Sequence, residues 1–344
     1  NPEITELVIA TDAGREGELV ARWIIRKVGF HKPVKRLWIS SQTDKSIKEG
    51  FAHLKQAAEY DNLYHSAQSR AEADWLVGLN VTRALTCKYN AQLSAGRVQT
   101  PTLAMIVKRE EEIKKFIPKD YYNIYAEFGG FSAVWNDPKT GQSRIPEKER
   151  AESIVNKIKG KDGKIIELKR DAKREAPPLL YDLTELQRDA NIRYGFSAKQ
   201  TLNLMQRLYE EHKALTYPRT DSRYISSDIV PSLKDRLRAI SSGEYAASIS
   251  ELLKTGVKTS KRVVDDKKVT DHHAIIPTEE YVRLSDLTSE ERRIYDLVVK
   301  RFLAVFCPDF EYMQTTVKIE IENEIFSAKG KTDRKSTRLN SSHT

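Results

Sequence analysis

Strand-like segments on both sides of a long helical stretch constrain the fold of this chain most strongly. Apolar and polar residues alternate over residues 121–135 and 164–173, as expected for strands with one buried face. The same alternation returns in residues 315–328. The stretch between them is mainly helical and opens on Pro177 and Pro178. We therefore predict a β-rich platform that carries a helical insertion, with two chain crossings that make a hinge.

Composition limits the class of protein. The chain has 344 residues, 39% of them hydrophobic, which is enough for two or three domains with substantial cores. A net charge of +9 and a pI near 9.2 indicate a polyanionic partner or a broadly basic surface. Cys87 and Cys307 are far apart and lack CxxC spacing, so we expect neither a zinc ribbon nor a disulfide framework. The sequence contains no apolar run of membrane length and no Walker A pattern.

Residues 215–222, LTYPRTDS, hold a tyrosine two positions before an arginine. The proline between them favours extended geometry, in which residues i and i+2 point the same way. We therefore expect Tyr217 and Arg219 to share a face. A phenol titrates near pH 10 and is a weak nucleophile at neutral pH, whereas a nearby guanidinium reduces that deficit and can bind two phosphate oxygens. The pattern indicates attack on a phosphodiester, although an isolated Tyr-x-Arg is more often an ordinary tyrosine.

The first forty residues predict a strand, an acidic turn and a helix. Leu7 to Ala10 forms the predicted strand, and Val34 to Ile39 is a second candidate. Asp12 follows the first strand directly, and ligands of open α/β sheets bind at that end of a strand. An ordinary βα unit with a polar turn is the commoner meaning of this pattern. The predicted apolar positions of the helix are Leu19, Val20, Trp23, Ile24 and Val28.

From Ser41 to about Ile117 the pattern is mostly helical, and the motif SAGRVQT at residues 94–100 precedes one of these helices. A helix start favours anions because its backbone N–H groups are unpaired. Gly96 allows close backbone approach, and Arg97 with Gln99 offers donors to phosphates or bases. The alternative is a helix cap with a solvated arginine.

Three motifs in this order, SAGRVQT, LTYPRTDS and DHHAIIPT at residues 271–278, closely resemble the type IA DNA topoisomerases, most like their topoisomerase III branch. The resemblance extends to about Lys331. It implies Mg²⁺-assisted, ATP-independent cleavage and religation of one DNA strand through a 5′-phosphotyrosyl intermediate, which relaxes or decatenates DNA. The implied partners are single-stranded or underwound DNA and a possible helicase. The implied setting is a monomer in the cytoplasm, associated with the nucleoid of a bacterium.

The resemblance also implies residue roles. Tyr217 is the implied nucleophile, and Arg219 with His272 binds the scissile phosphate. A structural histidine is the alternative to a site role, above all for His273. The two histidines are not predicted to hold a metal, because adjacent histidines diverge and no third ligand follows at a recognisable spacing. The implied DNA-binding residues are Ser94, Ala95, Gly96, Arg97, Val98, Gln99, Arg70, Asp74 and Arg83. For the last three, ordinary surface charges remain the alternative.

The acidic turn resembles the magnesium-binding signature of the TOPRIM fold. Asp12 and Glu16 are the implied Mg²⁺ carboxylates, and Gly14 stands where the usual pattern has a middle aspartate. The first TOPRIM strand, with its glutamate and lysine, has no counterpart in this sequence. We therefore expect a chain truncated at both ends, and a catalytically incomplete fragment that only binds single-stranded DNA remains the alternative function. A TOPRIM nuclease or primase would leave LTYPRTDS and SAGRVQT unexplained.

The expected fold class is multidomain α/β plus α plus β, with a partial TOPRIM α/β domain, helical domains and a β-rich hinge domain that carries an inserted winged-helix-like catalytic domain. The predicted boundaries are 1–40 for the truncated TOPRIM domain, 41–118 for the helical DNA-binding domain, 119–176 with 310–331 for the hinge, and 177–309 for the insertion with the tyrosine. Residues 332–344 lack apolar periodicity, and we expect them to be a non-native or disordered tail.

Overall fold

The computed structural model describes residues 3–39, 44–269, 271–333 and 339–340, and it combines helices with β-sheets in a mixed α/β fold. The strands are β1 Leu7–Ile9, β2 Val34–Arg36, β3 Lys55–Gln56, β4 Tyr125–Phe128, β5 Phe131–Asn136, β6 Lys164–Glu175, β7 Phe310–Ile321, β8 Glu324–Asp333 and β9 Leu339–Asn340. The α-helices are α1 Arg15–Val28, α2 Asp44–Ala52, α3 Asp61–Tyr89, α4 Gln99–Lys114, α5 Lys148–Ile158, α6 Leu183–Tyr194, α7 Ala198–Glu210, α8 Leu233–Ala239, α9 Ala246–Thr255 and α10 Ser289–Ala304. Short 3-10 turns cover Ala57–Tyr60, Ser227–Ser232, Gly243–Tyr245, Asp266–Lys268 and Leu284–Asp286.

The alternating segments before and after the helical stretch build one antiparallel sheet. Its described strands follow the order β4-β5-β8-β7-β6, and β9 pairs with β8. The long strands β6 and β7 run side by side, with Glu175 at the end of one opposite Phe310 at the start of the other. The chain therefore leaves the sheet and returns to it at neighbouring positions. One face of the sheet buries Trp135, Ile319 and Phe326.

The strand pattern at residues 315–328 is a hairpin of two strands, a turn that the sequence prediction missed. Glu322 and Asn323 join β7 to β8 with φ values of 50° and 65°. Two consecutive residues with positive φ match the twist of adjoining strands in a two-residue hairpin. Asparagine tolerates this conformation better than most residues, but glutamate does not, so the turn has only half of its usual sequence signal.

The N-terminal segment forms the predicted βα unit, because β1 and β2 pair in parallel and α1 connects them. The helix ends at Gly29, which adopts φ 64°. The predicted helix is present as α1, and of its apolar positions Leu19 is buried, whereas Val20, Trp23, Ile24 and Val28 are exposed. The buried face of the helix instead includes Glu18 and Ala21, because Glu18 pairs with a buried arginine.

The helical stretch from Leu180 to Phe306 has a large apolar core of its own. Ser197 caps α7 by accepting a hydrogen bond from the Gln200 N–H. Asp182 caps α6 by accepting from the Glu185 N–H. A carboxylate is as good a cap as a hydroxyl.

The long helices α3 and α4 bury little apolar surface among the described residues. In α3 the apolar residues Leu76 (52%) and Val77 (62%) are exposed, as are Leu103 (60%) and Ile106 (56%) in α4. Periodicity finds such a face, but it does not say what covers it. None of the described helices is both long and apolar enough to cross a membrane.

The chain divides into two compact units, one formed by Asn1–Leu103 with Pro177–Cys307 and the other by Ala104–Ala176 with Pro308–Thr344. Segments 1–40 and 41–103, which the sequence predicts as parts of separate domains, thus belong to the same unit as the helical stretch. Of the predicted tail, Thr332 and Asp333 end β8, while residues 334–338 and 341–344 lie outside the described residues.

Candidate active site

The first unit contains a cleft with a volume of about 990 Å³. Asp12 from the acidic turn, Tyr217 from LTYPRTDS and His272 from DHHAIIPT all line it. Asp12 lies more than two hundred positions before the other two residues in the sequence, and the fold brings all three to one cavity. The cleft is therefore the candidate active site.

Two motif segments lie side by side along the cleft. The Thr216 N–H donates to the carbonyl oxygen of Ile276 at 3.0 Å, and the Thr278 N–H donates to that of Ala214 at 3.1 Å. The Thr220 hydroxyl donates to the carbonyl oxygen of His272 at 2.9 Å. The backbone of LTYPRTDS is thus fixed against DHHAIIPT on both sides of Tyr217.

Tyr217 is half-buried between two rings. Its ring centroid lies 4.3 Å from that of His272, and 5.5 Å from that of Tyr209, which packs edge-on. Burial is the main cause that raises the pKa of the phenol above its ordinary value, and the charge of Asp12 acts in the same direction. Arg219 lowers this pKa, as its spacing predicted, but the two opposing causes outweigh it. Arg219 thus lowers the pKa of Tyr217 as predicted, but its effect is too small to bring that pKa below the ordinary value.

Arg219 lies on the same side of its segment as Tyr217. Pro218 and Thr220 are buried, whereas Tyr217 is half-buried and Arg219 is exposed. This alternation is the one that extended geometry predicts. The guanidinium is accessible to a phosphate that approaches the tyrosine.

The two neighbouring histidines have different surroundings. His272 packs on Tyr217, while the Nδ1–H of His273 donates to the carbonyl oxygen of Ala274 at 2.7 Å. Burial lowers the pKa of His273 to about 4, so its ring is neutral at neutral pH. Among the described residues no group of three or more His, Cys, Asp or Glu side chains could hold a metal ion.

A buried arginine shapes the acidic turn, and sequence reasoning missed it. Arg36 in β2 donates to the carbonyl oxygens of Ile9, Thr11 and Asp12. Its Nε lies 3.0 Å from Glu18 Oε2, and both side chains are fully buried. A guanidinium offers five donors in a rigid fork, so one side chain can bind several backbone carbonyls at once. Arg36 thereby fixes the backbone from which Asp12 projects into the cleft.

Two pairs of the predicted site residues contact each other. Arg70 Nη1 lies 3.3 Å from Glu16 Oε1, and Arg97 Nε donates to Asp74 Oδ1 at 2.7 Å. Asp74 thus holds the arginine of SAGRVQT, a role that its negative charge alone did not predict. Arg83, also predicted to face DNA, is exposed on α3.

The SAGRVQT segment leads into a helix as predicted, and that helix, α4, begins at Gln99 inside the motif. The Ala95 N–H donates to Thr82 Oγ1 at 2.9 Å, and the Gly96 N–H donates to Thr100 Oγ1 at 3.0 Å. These contacts hold the loop against α3 and the first turn of α4. The side chains of Ser94, Arg97, Val98 and Gln99 are exposed.

Comparison with known proteins assigns the family. A family model described as DNA topoisomerase matches residues 58–337. DNA topoisomerase 3 from Bacillus subtilis (strain 168) is 59% identical over 330 residues, which are 96% of this chain and 45% of the relative. DNA topoisomerase 3 from Bacillus licheniformis is 58% identical over 330 residues, again 96% of this chain and 45% of the relative.

A solved structure agrees with this assignment. The structure of full-length topoisomerase I from Thermotoga maritima in a monoclinic crystal form matches with a TM-score of 0.70 and 26% identity, covering 94% of this chain and 52% of that one. The chain spans about half the length of the relatives it matches. It belongs to the DNA topoisomerase family, in the type IA, topoisomerase III-like branch.

Proposed function

We propose that this protein cleaves and religates one strand of DNA through a covalent bond to Tyr217, and so relaxes or decatenates DNA without ATP. The observation that carries the proposal is that Tyr217 lies in an open cleft between a histidine ring and an acidic turn, with an exposed guanidinium two residues away. An ordinary core tyrosine would be enclosed by apolar side chains. The chain matches only part of its relatives, so the activity of the whole protein is part of the proposal.

The chemical step is an exchange of two phosphate esters. Tyr217 Oη attacks the phosphorus of a phosphodiester and loses its proton, while the bond from phosphorus to the 3′-oxygen breaks and that oxygen takes up a proton. The product is a 5′-phosphotyrosyl end and a free 3′-hydroxyl, and the reverse step reseals the strand. Arg219 and His272 bind the non-bridging phosphate oxygens, and this holds the bond to the 3′-oxygen in line with the attacking Tyr217 Oη.

The acidic turn has the donor chemistry that a hard divalent cation requires. Asp12 and Glu16 are both exposed, and Mg²⁺ is usually held by one or two carboxylates together with waters and substrate phosphates. Bound Mg²⁺ would supply positive charge that stabilises the phosphate in the transition state. Glu16 must share its carboxylate with Arg70, since the two lie 3.3 Å apart.

DNA binding is proposed along the helical segment as well. Ser94 and Gly96 lie just before α4 and Gln99 is its first residue, and the positive end of the helix dipole there favours phosphate. Ala95 and Val98 position this loop, and Arg97 contacts DNA while Asp74 holds it. Arg70 and Arg83 extend the basic surface along α3.

The proposed architecture follows the predicted boundaries. Residues 1–40 are a TOPRIM segment, 41–118 a helical DNA-binding domain, 119–176 with 310–331 a β-rich hinge, and 177–309 an inserted, winged-helix-like catalytic domain. The adjacent chain crossings at Glu175 and Phe310 support the hinge, because two neighbouring connections allow rotation. Single-stranded DNA is the proposed substrate, with a monomeric enzyme, a helicase partner and a place on the nucleoid as further proposals.

The test uses a single-stranded oligonucleotide labelled at its 3′ end, with Mg²⁺ present. After denaturation the label should migrate with the protein, and the Tyr217→Phe variant should lose this adduct while it retains DNA binding. Label that stays free in the wild type would contradict the proposal. Binding without any adduct would instead support a protein that only binds single-stranded DNA.

A further inference from the structure

Gly14 is a glycine for a reason that its backbone does not explain. Its φ of −166° and ψ of 177° are extended values that any residue adopts. An added Cβ, however, would lie 2.7 Å from Asp271 Oδ2 and 3.0 Å from its Cγ. The carboxyl group of Asp271 therefore occupies the space in which a side chain at position 14 would begin.

This arrangement brings a carboxylate from a distant segment to the acidic turn. Asp271 directly precedes His272, whose ring packs on Tyr217, and Asp12 of the turn lies close enough to affect both Asp271 and Tyr217 electrostatically. Asp221 adds a further negative charge near Asp271, while Arg15 and His272 add positive charges. Asp271 thus lies beside the acidic turn and within electrostatic reach of two further carboxylates, those of Asp12 and Asp221.

Sequence patterns related to this turn have an aspartate where this chain has Gly14. A side chain at position 14 and the Asp271 carboxyl compete for the same space, because the added Cβ would lie 2.7 Å from Asp271 Oδ2 and the carboxyl would have to move. Position 14 has no side chain, and the carboxyl group of Asp271 lies in the space that is left.

We propose that Asp271 replaces the missing middle carboxylate of the acidic turn and, together with Asp12, binds the divalent cation beside Tyr217. The inference rests on the proposed function and deepens it, since it assigns a cation-binding residue that lies outside the TOPRIM-like segment. Two carboxylates and the substrate phosphate suffice for Mg²⁺. Glu16 then remains available to Arg70.

A structural role for Asp271 gives a different expectation. A carboxylate at the start of α1 also interacts favourably with the helix dipole. Loss of that interaction would lower the stability of the protein without changing its affinity for a cation. Cation affinity is therefore the readout that separates the two roles.

The experiment measures Mn²⁺ binding by the 344-residue chain, with electron paramagnetic resonance to count the free ion. Asp271→Asn keeps the shape of the side chain and should weaken binding by about tenfold or more. Gly14→Asp alone should displace the Asp271 carboxyl from its place beside the turn. The double variant Gly14→Asp with Asp271→Ala should fold and regain wild-type affinity, because it moves the carboxylate back into the turn. Asp235→Asn, an exposed residue of α8, is the matched control.

Three results would overturn the inference: a wild-type chain that does not bind Mn²⁺, wild-type affinity in Asp271→Asn, or a folded double variant that fails to regain binding. The covalent adduct at Tyr217 is measured separately on the same proteins. An adduct in the wild type together with unchanged Mn²⁺ affinity in Asp271→Asn would refute the role of Asp271 and leave the proposed function intact. Weakened Mn²⁺ binding in Asp271→Asn, together with a wild type that forms no adduct, would support the role of Asp271 in cation binding and refute the proposed function.

Discussion

At the scale of single residues, the surroundings of Tyr217 favour its neutral phenol. Burial and Asp12 raise the pKa of the phenol, and Arg219 lowers it by a smaller amount. The proposed nucleophile is therefore protonated in the protein without DNA. Phosphate bound by Arg219 and a cation near Asp12 would change this balance, so activation depends on the substrate complex.

Replacement of Arg219 tests its proposed role. We expect Arg219→Ala to reduce the rate of strand cleavage about 100-fold, because it removes a donor to the reacting phosphate. Its affinity for single-stranded DNA should fall far less, since one phosphate contact is lost among several. Arg188→Ala, an exposed arginine of α6, is the matched control. Equal losses of cleavage and binding would contradict the assignment.

The pKa of Tyr295 in α10 gives a prediction for alkaline pH. Burial raises this pKa to about 12, so the folded protein keeps the phenol neutral where the unfolded chain ionises it. The stability contributed by the neutral phenol is complete below pH 10 and is lost as the pH rises towards 12. Between pH 10 and pH 12, the free energy of unfolding of Tyr295→Phe should therefore fall by about 2–3 kcal/mol less than that of the wild type. Denaturant unfolding at pH 9 and pH 12 measures this difference, and Tyr281→Phe, at an exposed position, is the control. If the free energy of unfolding fell equally in all three proteins, the prediction would be refuted.

The motif residues were predictable because their spacing is local, and the residues that support them were not. The alternation around Pro218 predicted that Tyr217 and Arg219 share a face, and the burial of this segment agrees. Arg36 gave no signal, because a strand of three residues carries no pattern that marks a buried arginine. Asp271 was invisible for a similar reason, since its contact with Gly14 joins residues from opposite ends of the unit.

At the scale of elements, the sequence predicted whether a segment is a helix or a strand better than it predicted which face of that element is buried. The helix α4 and the strands on both sides of the helical stretch were expected from periodicity, and the structure has them. Most apolar positions of α1 and α4 are exposed, because periodicity identifies an amphipathic face without its partner. The hairpin turn at Glu322 was missed because neither it nor its neighbour is glycine.

The same turn provides a prediction for stability. Asn323 has φ 65°, a conformation that disfavours residues with an ordinary Cβ. We expect Asn323→Ala to lower the free energy of unfolding of the sheet unit by about 1 kcal/mol. Asn323→Gly adopts positive φ freely and should match or exceed the wild type. A ranking with alanine above glycine in denaturant unfolding would show that the turn has another conformation in solution.

At the scale of the whole molecule, the excess of positive charge is moderate and its distribution matters more than its sum. The net charge is +9 over 344 residues. Several basic residues near the predicted DNA-binding loop are already paired with acids, as Arg97 is with Asp74. DNA binding then requires an exchange of partners, in which phosphate competes with a carboxylate.

This exchange predicts how affinity depends on salt. Arg97→Ala should weaken binding to single-stranded DNA of any sequence and reduce the slope of log K against log salt by about 0.7, the value for one phosphate contact. Arg174→Ala, an exposed arginine of β6, is the control. Fluorescence anisotropy over a range of salt concentrations measures both slopes, and an unchanged slope for Arg97→Ala would exclude its contact with phosphate.

The most direct measurement is the identity of the residue that carries DNA after cleavage. Digestion of the denatured adduct with a protease and a nuclease leaves a nucleotide on one peptide, which mass spectrometry can sequence. The account predicts a nucleotide joined through its 5′-phosphate to Tyr217 in the peptide that contains LTYPRTDS. A nucleotide on any other residue, or a 3′-phosphate linkage, would contradict it.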